Sequence, residues 1–336
     1  MKLIYTGSVK NIYQTQEPTE LFFEYTDDYS VFDWGKMPDP IPGKGEILSR
    51  LGEFFFRALE DPGQWKALEQ DESGDIAANI PIVHHFIRRE SNRLLVTKVD
   101  VPHLKAESIG GSLVYDYGFQ LQPRQLIPLE VLFRFGVPAG SSLLKRKHWY
   151  NFDIREGAEF KEPLIEFSTK LENKDRVISY QEAALILKGD TKKLRELYAK
   201  TCAVALFLRK LLAERGLKLW DGKLEWAFID GQVSLVDSIG PDELRVSQGD
   251  AVFSKQFLRN YYLDSPWLKA VEEGGRIAQE RGTENWKDIV VNELKSKPDN
   301  LSAPYLEAAK ALYQDFHDIV VEGRQSTRFT DALAAL

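Results

Sequence analysis

Two segments decide the fold: Asp221-Gly222-Lys223-Leu224-Glu225 and, downstream, Asp237-Ser238-Ile239-Gly240-Pro241-Asp242-Glu243-Leu244-Arg245. Alternate side chains of an extended strand share a face, so Asp221, Lys223 and Glu225 are expected to project together. Carboxylate oxygens suit Mg²⁺, and an ammonium suits a phosphate oxygen. The first segment therefore predicts a metal–nucleotide site, against the alternative of an ordinary amphipathic hairpin with one solvated face.

The register of the following hairpin decides whether a second acid joins Glu225. Asp230-Gly231 predicts a turn between strands at 226–228 and 233–236. A two-residue turn would send Asp237 to the face opposite Glu225, whereas a three-residue loop with Gly231 in a bulge puts both on one face. We predict the bulged register, because only then do both acids reach one cation.

Composition excludes several classes of protein. The 336 residues, 43% of them hydrophobic, can bury one large core or two modest ones. A net charge of −7 argues against a general nucleic-acid or acidic-membrane binder. Cys202 is the only cysteine, which predicts a cytoplasmic protein without an intrachain disulfide. The sequence has no apolar run long enough for a membrane span, and we expect no signal peptide.

The order of predicted elements indicates an α+β fold with antiparallel sheets. Strands are predicted at 3–6, 9–13, 21–25, 94–99 and 127–135, and helices at 46–59 and 304–321. Thr191 is expected to cap a further helix that ends at Gly216. We predict a mostly-β nucleotide-binding lobe over 1–100, a linker with an inserted hairpin over 101–126, and an α+β lobe with a helical tail over 127–336.

Four further clusters are candidates for binding anions, and each has a plainer alternative. Gly7-Ser8-Val9-Lys10 predicts a flap over phosphates, or only a turn. Lys44 precedes a helix whose amino terminus attracts anions, or is a solvated turn lysine. Arg134 with the Gly140-Ser141-Ser142 helix start is suited to a phosphomonoester, or is an exposed loop. Lys255 and Arg259 share one helical face, which is usually solvated.

Taken in order, these motifs resemble one family, the SAICAR synthetases (phosphoribosylaminoimidazole-succinocarboxamide synthases) of purine biosynthesis. The resemblance spans about residues 3–262 and rests on the ordered set of segments. These are 7–13, Asp28-Tyr29-Ser30-Val31-Phe32-Asp33, Pro42-Gly43-Lys44-Gly45, Pro128-Leu129-Glu130 with Arg134 and Gly140-Ser141, 221–225, 237–245, and Ser254-Lys255-Gln256-Phe257 with Arg259. It implies a two-lobed fold with a kinase-like nucleotide cleft.

The resemblance also implies the reaction and its participants. ATP phosphorylates the carboxylate of carboxyaminoimidazole ribonucleotide, and the amine of L-aspartate displaces phosphate to give SAICAR, ADP and phosphate. The implied cofactors are ATP and Mg²⁺, and the implied partners are these small molecules. Self-association is left open.

Site residues follow from the resemblance position by position. Lys223 is implied at the transferring phosphoryl group, with Asp221 orienting it. The implied catalytic residues are Lys223, Asp221, Lys44 and Asp242. The implied ATP contacts are Gly7, Ser8, Lys10, Lys98 and Asp100 of the interlobe hinge, and Glu225. The implied metal ligands are Glu225 and Asp237. The implied substrate contacts are Ser30, Asp33, Arg134, Ser141, Ser142, Lys170, Asp175, Arg245, Lys255 and Arg259.

Departures from the family pattern keep other functions open. Ser238 stands where an acid is usual, and the stretch from Arg134 to Ser141 is one residue longer, so either Ser141 or Ser142 is expected to meet the phosphate. The alternatives are an ATP-dependent amide ligase for another amine or carboxylate, and a non-catalytic nucleotide-binding homologue.

Overall fold

The first lobe is built on a five-stranded antiparallel sheet. A computed structural model describes residues 1–71, 82–110 and 112–336. The strand order is β1-β2-β3-β5-β4. The strands are β1 Lys2–Thr6, β2 Lys10–Gln14, β3 Glu20–Tyr25, β4 Phe86–Glu90 and β5 Arg93–Thr97. The sequence predicts four of these five strands and does not predict β4.

Helix α1 (Lys44–Glu60) covers one face of this sheet and is followed by α2 (Pro62–Asp71). Leu48, Leu51, Phe55 and Leu59 recur every three or four residues along α1 and are buried. Their burial against β3, β4 and β5 fixes where α1 begins relative to the cleft.

The second lobe is built on a seven-stranded sheet in which the long strand β11 is central. β11 pairs with β8, β12 and β13, all antiparallel. The strands are β8 Gln125–Gly136, β9 Glu159–Thr169, β10 Val177–Ile178, β11 Lys218–Ile229, β12 Gln232–Val236, β13 Leu244–Gln248 and β14 Ala251–Phe253. Leu224 and Trp226 are buried on one face of β11, and Lys223 and Glu225 alternate with them.

Helices pack around the second sheet and extend to the carboxyl end. They are the 3₁₀ helix Ser142–Trp149, α3 Tyr180–Ile186, α4 Thr191–Ala213, α5 Gln256–Tyr261, α6 Pro266–Arg281, α7 Trp286–Asp288 with a π-helical turn Ile289–Glu293, α8 Ala303–Val320 and α9 Arg328–Ala334. The expected cap is wrong by one residue, since the Asp190 carboxylate accepts the N–H groups of Lys192 and Lys193. None of the described helices combines the length and the apolar composition needed to cross a bilayer.

The predicted inserted hairpin is present as β6 (Lys105–Ile109) and β7 (Ser112–Asp116). Its Tyr115 hydroxyl bonds the Asn173 N–H at 2.8 Å and Glu284 at 3.0 Å. The insert therefore connects the 170–176 loop with the segment that follows α6. The proposed boundaries at 100 and 126 remain a prediction.

The turn between β11 and β12 has two residues, so the predicted bulged register is wrong. Glu225 pairs with Val236 and Ile229 pairs with Gln232. Asp230 (φ +51°) and Gly231 (φ +80°) both take the left-handed conformation of a tight hairpin turn that matches strand twist. Asp237 lies one residue beyond β12 with φ +70°, outside the regular alternation of the strand.

Gly222 offers a test of the packing that holds β11 in place. A Cβ at this position would lie 2.6 Å from the Phe133 ring and 2.7 Å from Leu244. We expect Gly222→Ala to lower the free energy of unfolding by about 1–3 kcal/mol through overpacking.

Denaturant titration measures the change, and Gly275→Ala is the control. Gly275 lies in α6 with open space around its Cβ position, so this variant should be neutral or slightly more stable. Equal effects of the two substitutions would contradict the packing argument.

Candidate functional site

Two lysines and two glutamates alternate in charge on the cleft side of the second sheet. Glu130 of β8 lies directly opposite Glu225 of β11. Lys223 Nζ is 2.7 Å from Glu130 Oε1 and 3.4 Å from Glu225 Oε1. Lys170 Nζ is 2.7 Å from Glu225 Oε1 and 3.4 Å from Glu130 Oε1. The four side chains therefore neutralise one another at the mouth of the cleft.

Lys10 of the first lobe pairs with Asp237 of the second lobe. Its ammonium contacts Asp237 Oδ1 and lies 3.4 Å from Ser238 Oγ. It also lies over the ring of Phe23, 5.2 Å from the centroid. The turn before Lys10 is tight, because the Gly7 N–H donates to Lys10 O at 2.8 Å and a Cβ on Gly7 would meet the same oxygen. Asp237 thus reaches the cluster although the hairpin register differs from the expected one.

Burial and opposite charges shift the titration of these groups. Burial would raise the pKa of Asp237, but Lys10, followed by Lys170, holds this pKa below its usual range. Burial lowers the pKa of Lys223, but Glu225 and Glu130 together raise it above its usual range. Lys10 responds in the same way to Asp237, and its pKa is raised. At neutral pH Asp237, Lys223 and Lys10 are therefore ionised.

The donor set fits a hard divalent cation. Glu225 and Asp237 offer carboxylate oxygens, which Mg²⁺ prefers. Lys10, Lys170 and Lys223 carry three positive charges against the three negative charges of Glu130, Glu225 and Asp237. Because the cluster is already neutral, a cation would be accommodated together with an anion such as a phosphate, to which the lysines can turn.

An apolar patch lies beside this cluster at the junction of the lobes. Leu126, Ala227 and Val236 form a small buried cluster against which Val99 and Leu171 pack. Backbone bonds fix the hinge, since the Asp100 N–H donates to Arg124 O at 3.1 Å and Asp100 O accepts from Leu126 N–H at 2.8 Å. The Lys98 N–H donates to Thr19 O at 2.8 Å. The predicted hinge therefore adjoins a small buried apolar cluster.

A second charged cluster is centred on Lys44 and Asp242. Lys44 Nζ is 2.9 Å from Asp242 Oδ2 and is fully buried, so the alternative of a solvated lysine is wrong. The Tyr313 hydroxyl of α8 donates to Asp242 Oδ1 at 2.6 Å. The amino terminus of α1 is already paired within the protein, because the Asp27 carboxylate accepts the N–H groups of Gly43 and Gly45. The expected anion site at this helix end is therefore occupied by the protein's own carboxylate.

Arg134 lies in a buried network near the end of β8. Its Nε donates to Glu166 at 2.6 Å, Nη1 to Asp221 at 3.1 Å and Nη2 to Ser142 Oγ at 3.1 Å. Ser141 instead caps the 3₁₀ helix, with its Oγ accepting from the Leu143 N–H, and is buried. Asp221 binds Arg134 and lies 3.4 Å from Arg245, so the expected pairing of Asp221 with Lys223 is corrected.

Two cations beside this network have no ion pair among the described residues. Lys255 and Arg259 lie on α5 or at its start, and both are half-buried. Burial and then the nearby charge of Arg245 lower the pKa of Arg259. Burial also lowers the pKa of Lys255, although Asp242 opposes the shift. Half-buried cations that repel one another indicate a site for an anion.

The remaining predicted residues surround the opening of the cleft. Asp175 follows Lys170 in the 170–176 loop, and partial burial and then the charge of Glu130 raise its pKa to about 7. Asp33, which has φ +54°, lies within electrostatic reach of both Asp175 and Arg259. Ser30 is half-buried between the buried Tyr29 and Val31. Ser8 Oγ is 4.0 Å from the Cβ position of Gly35, so the flap adjoins this loop.

The sequence alone does not identify several polar residues of the site. Glu130, Glu166, Glu243 and Tyr313 each contact or face a predicted residue. Glu130 becomes evident only when β8 is placed opposite β11. Tyr313 belongs to the helical tail, where its spacing indicated only a packing residue. The side chains of Glu166 and Glu243 would be expected to be exposed when each segment is considered alone.

Comparisons with known proteins agree with this fold. The sequence profile of the SAICAR synthetase family matches residues 3–273. The phosphoribosylaminoimidazole-succinocarboxamide synthase of Persephonella marina is 32% identical over 247 residues, covering 72% of this chain and 81% of that protein. A SAICAR synthetase (Type-2) in complex with ADP has 25% identity and a TM-score of 0.56, covering 88% of this chain and 99% of that chain.

A second structure supports the fold alone. The SAICAR synthase of Saccharomyces cerevisiae complexed with SAICAR has 21% identity and a TM-score of 0.61, and the match covers 97% of this chain and 96% of that one. The fold and the family together define an ATP-dependent carbon–nitrogen ligase. More particularly, this chain belongs to the SAICAR synthetase family.

Glu243 provides a pH test of the electrostatics of the site. Burial, and then the charges of Asp242 and Asp237, raise the pKa of Glu243 to about 7. A carboxyl group with a raised folded-state pKa destabilises the fold above that pKa, and the cost disappears as pH falls toward the unfolded value. We expect Glu243→Gln to raise Tm by a few degrees at pH 8 and by much less at pH 5.

Thermal unfolding at the two pH values measures the difference. Glu156→Gln is the control, because Glu156 is exposed and the same change of charge should leave Tm nearly constant. A gain for Glu243→Gln that is equal at both pH values would contradict the assignment.

Proposed function

We propose that the residues of this site carry out the SAICAR synthetase reaction in two steps. The γ-phosphoryl group of ATP passes to the carboxylate of carboxyaminoimidazole ribonucleotide, and the amine of L-aspartate then attacks the acyl phosphate and releases phosphate. The observation that carries the proposal is the neutral lysine–carboxylate cluster beside cations that lack partners in the described chain. The lysine–carboxylate cluster suits a metal–nucleotide, and the cations without partners suit the anionic end of a ribonucleotide.

In this proposal ATP lies between the lobes. The adenine lies beside the hinge at 98–100 and contacts the apolar patch of Val99, Leu126 and Val236. Gly7 and Ser8 cover the phosphates, while Lys10 and Lys223 exchange their carboxylate partners for phosphate oxygens. Glu225 and Asp237 would hold Mg²⁺, which when bound neutralises charge on the phosphates.

The 5′-phosphate of the ribonucleotide is assigned to the cationic patch. Arg134, Arg146, Arg245, Lys255 and Arg259 supply five positive charges against two negative charges from Glu166 and Asp221, which leaves a net charge of +3. This balance suits a phosphate dianion. We assign direct contacts to Ser142, Lys255 and Arg259, and assign to Arg134 the positioning of Ser142, since its own donors are already engaged.

The reacting groups lie between these two sites. Lys223 is the cation beside the phosphoryl group in transit, and Glu130 positions it at 2.7 Å. Asp242, held by Lys44 and Tyr313, faces the imidazole part of the nucleotide. Lys44 is fully buried and therefore acts through Asp242. Lys170, Asp175, Ser30 and Asp33 border the opening through which L-aspartate would enter.

The finer assignments of partner and compartment belong to the same proposal. The substrates are small anionic molecules. The net charge of −7 argues against nucleic acid as a partner. The single cysteine and the dependence on ATP favour a cytoplasmic location.

Removing either proposed metal ligand tests the first step. We expect Glu225→Gln and Asp237→Asn to lower ADP formation at least about a thousandfold, because each removes charge that the transition state requires. ADP release is measured with the ribonucleotide and L-aspartate together, with each omitted in turn, and with other amines in place of aspartate.

Asp250→Asn is the matched control, since Asp250 lies in an exposed turn and loses the same charge. A metal-site variant with wild-type turnover would remove the metal assignment. Equal turnover without aspartate would instead reject the ligase assignment.

Arg259 tests the site for the ribonucleotide phosphate. We expect Arg259→Gln to raise the KM for the ribonucleotide about 10–100-fold with little change in the KM for ATP, because a charge-assisted contact is lost. Lys269→Gln, an exposed position on α6, is the control for the loss of one positive charge. An unchanged KM for the ribonucleotide would place its phosphate elsewhere.

A further inference from the structure

We infer that His85 is a positioning residue that fixes Asp237 in the conformation needed to bind the metal–nucleotide. The inference rests on the proposed role of Asp237 as a metal ligand. His85 belongs to the segment before β4. The sequence alone assigns no role to this segment. His85 bonds to the main-chain carbonyl of Asp237 and not to the carboxylate, which pairs with Lys10.

The hydrogen bond between the two residues has only one arrangement. His85 Nε2 lies 3.1 Å from the carbonyl oxygen of Asp237. A carbonyl oxygen can only accept, so Nε2 carries the hydrogen and donates it. The His85 residue is 1% exposed, which removes water as a competing partner for the bond.

Asp237 needs such a partner because of its backbone. β12 ends at Val236, so the Asp237 carbonyl lies beyond the last residue of the strand. Its φ of +70° is a left-handed conformation that costs about 1–2 kcal/mol for a residue with a side chain. The bond from His85 offsets part of this cost and satisfies a polar group at a half-buried position. Without the left-handed residue, alternation along β12 would direct Asp237 away from Glu225.

His85 is itself held firmly on both sides. Its N–H donates to Leu235 O at 3.0 Å, and its carbonyl accepts from the Thr97 N–H at 2.7 Å. Its ring packs edge-on against Phe23, with 5.5 Å between the ring centroids, and Lys10 lies over the same phenylalanine. The bond from His85 therefore ties the position of Asp237, in the second lobe, to the first sheet.

Metal binding in the nucleotide complex tests this inference directly. The probe is Mn²⁺, titrated by electron paramagnetic resonance into the full chain with saturating ADP. We expect His85→Leu, and His85→Phe, which retains a ring against Phe23, to weaken Mn²⁺ binding about 10–100-fold. Binding of ADP alone should change less than about threefold. His85→Gln, whose amide can occupy the Nε2 position, should restore Mn²⁺ affinity to within about threefold of the wild type.

His84→Leu is the matched control, because His84 packs on Phe56 and faces Glu60 at 3.5 Å instead of Asp237. Its Mn²⁺ affinity should equal that of the wild type. If Asp237→Asn weakens Mn²⁺ binding and both donor-free His85 variants do not, the inference is overturned while the proposed function stands. If Asp237→Asn itself binds Mn²⁺ normally, the proposed metal site is wrong and the inference falls with it. A loss of Tm in the His85 variants with unchanged Mn²⁺ affinity would assign His85 to packing alone.

Discussion

The arrangement of the whole cleft depends on the ion pair between Lys10 and Asp237. Lys10 begins the second strand of one sheet, and Asp237 follows the last residue of a strand in the other sheet. Charges removed from water are costly unless they are paired. The lobes therefore meet where the charges compensate, and the lysine flap lies over the carboxylates that the sequence predicts to bind a metal.

The same electrostatic constraint separates the two halves of the site. In the lysine–carboxylate cluster every charge has a partner, so the proposed binding of a nucleotide and its metal there requires an exchange of partners. In the neighbouring patch Lys255 and Arg259 have lowered pKa values and no ion pair within the described ranges. Those cations favour an incoming anion without having to give up a contact. In the proposed assignment, a neutral site for the metal–nucleotide thus lies beside a positive site for a phosphate, as a ligase with several anionic reactants requires.

Local sequence predicts elements more reliably than it predicts the contacts between them. The strands around Gly7, the helix after Lys44, the strand containing Arg134 and the inserted hairpin follow from periodicity and turn residues. The partners of Asp221 do not, because they depend on which strands lie beside β11. The pairing of Lys44 with Asp242 does not either, because it joins distant segments and is supported by a tyrosine from the helical tail. Glu130 shows the same limit, since its role appears only through its register opposite Glu225.

The error in the hairpin register shows how local and functional requirements are reconciled. Asp230-Gly231 satisfies the two-residue turn that strand twist favours, and this turn places Val236 opposite Glu225. A strand that continued regularly would then direct Asp237 to the opposite face. The chain leaves the regular strand at that residue, and one left-handed aspartate returns the acid to the cleft. The turn thus adopts the conformation that the flanking strands favour. The single irregular residue, Asp237, supplies the geometry that the site requires. His85 supports it from the other lobe.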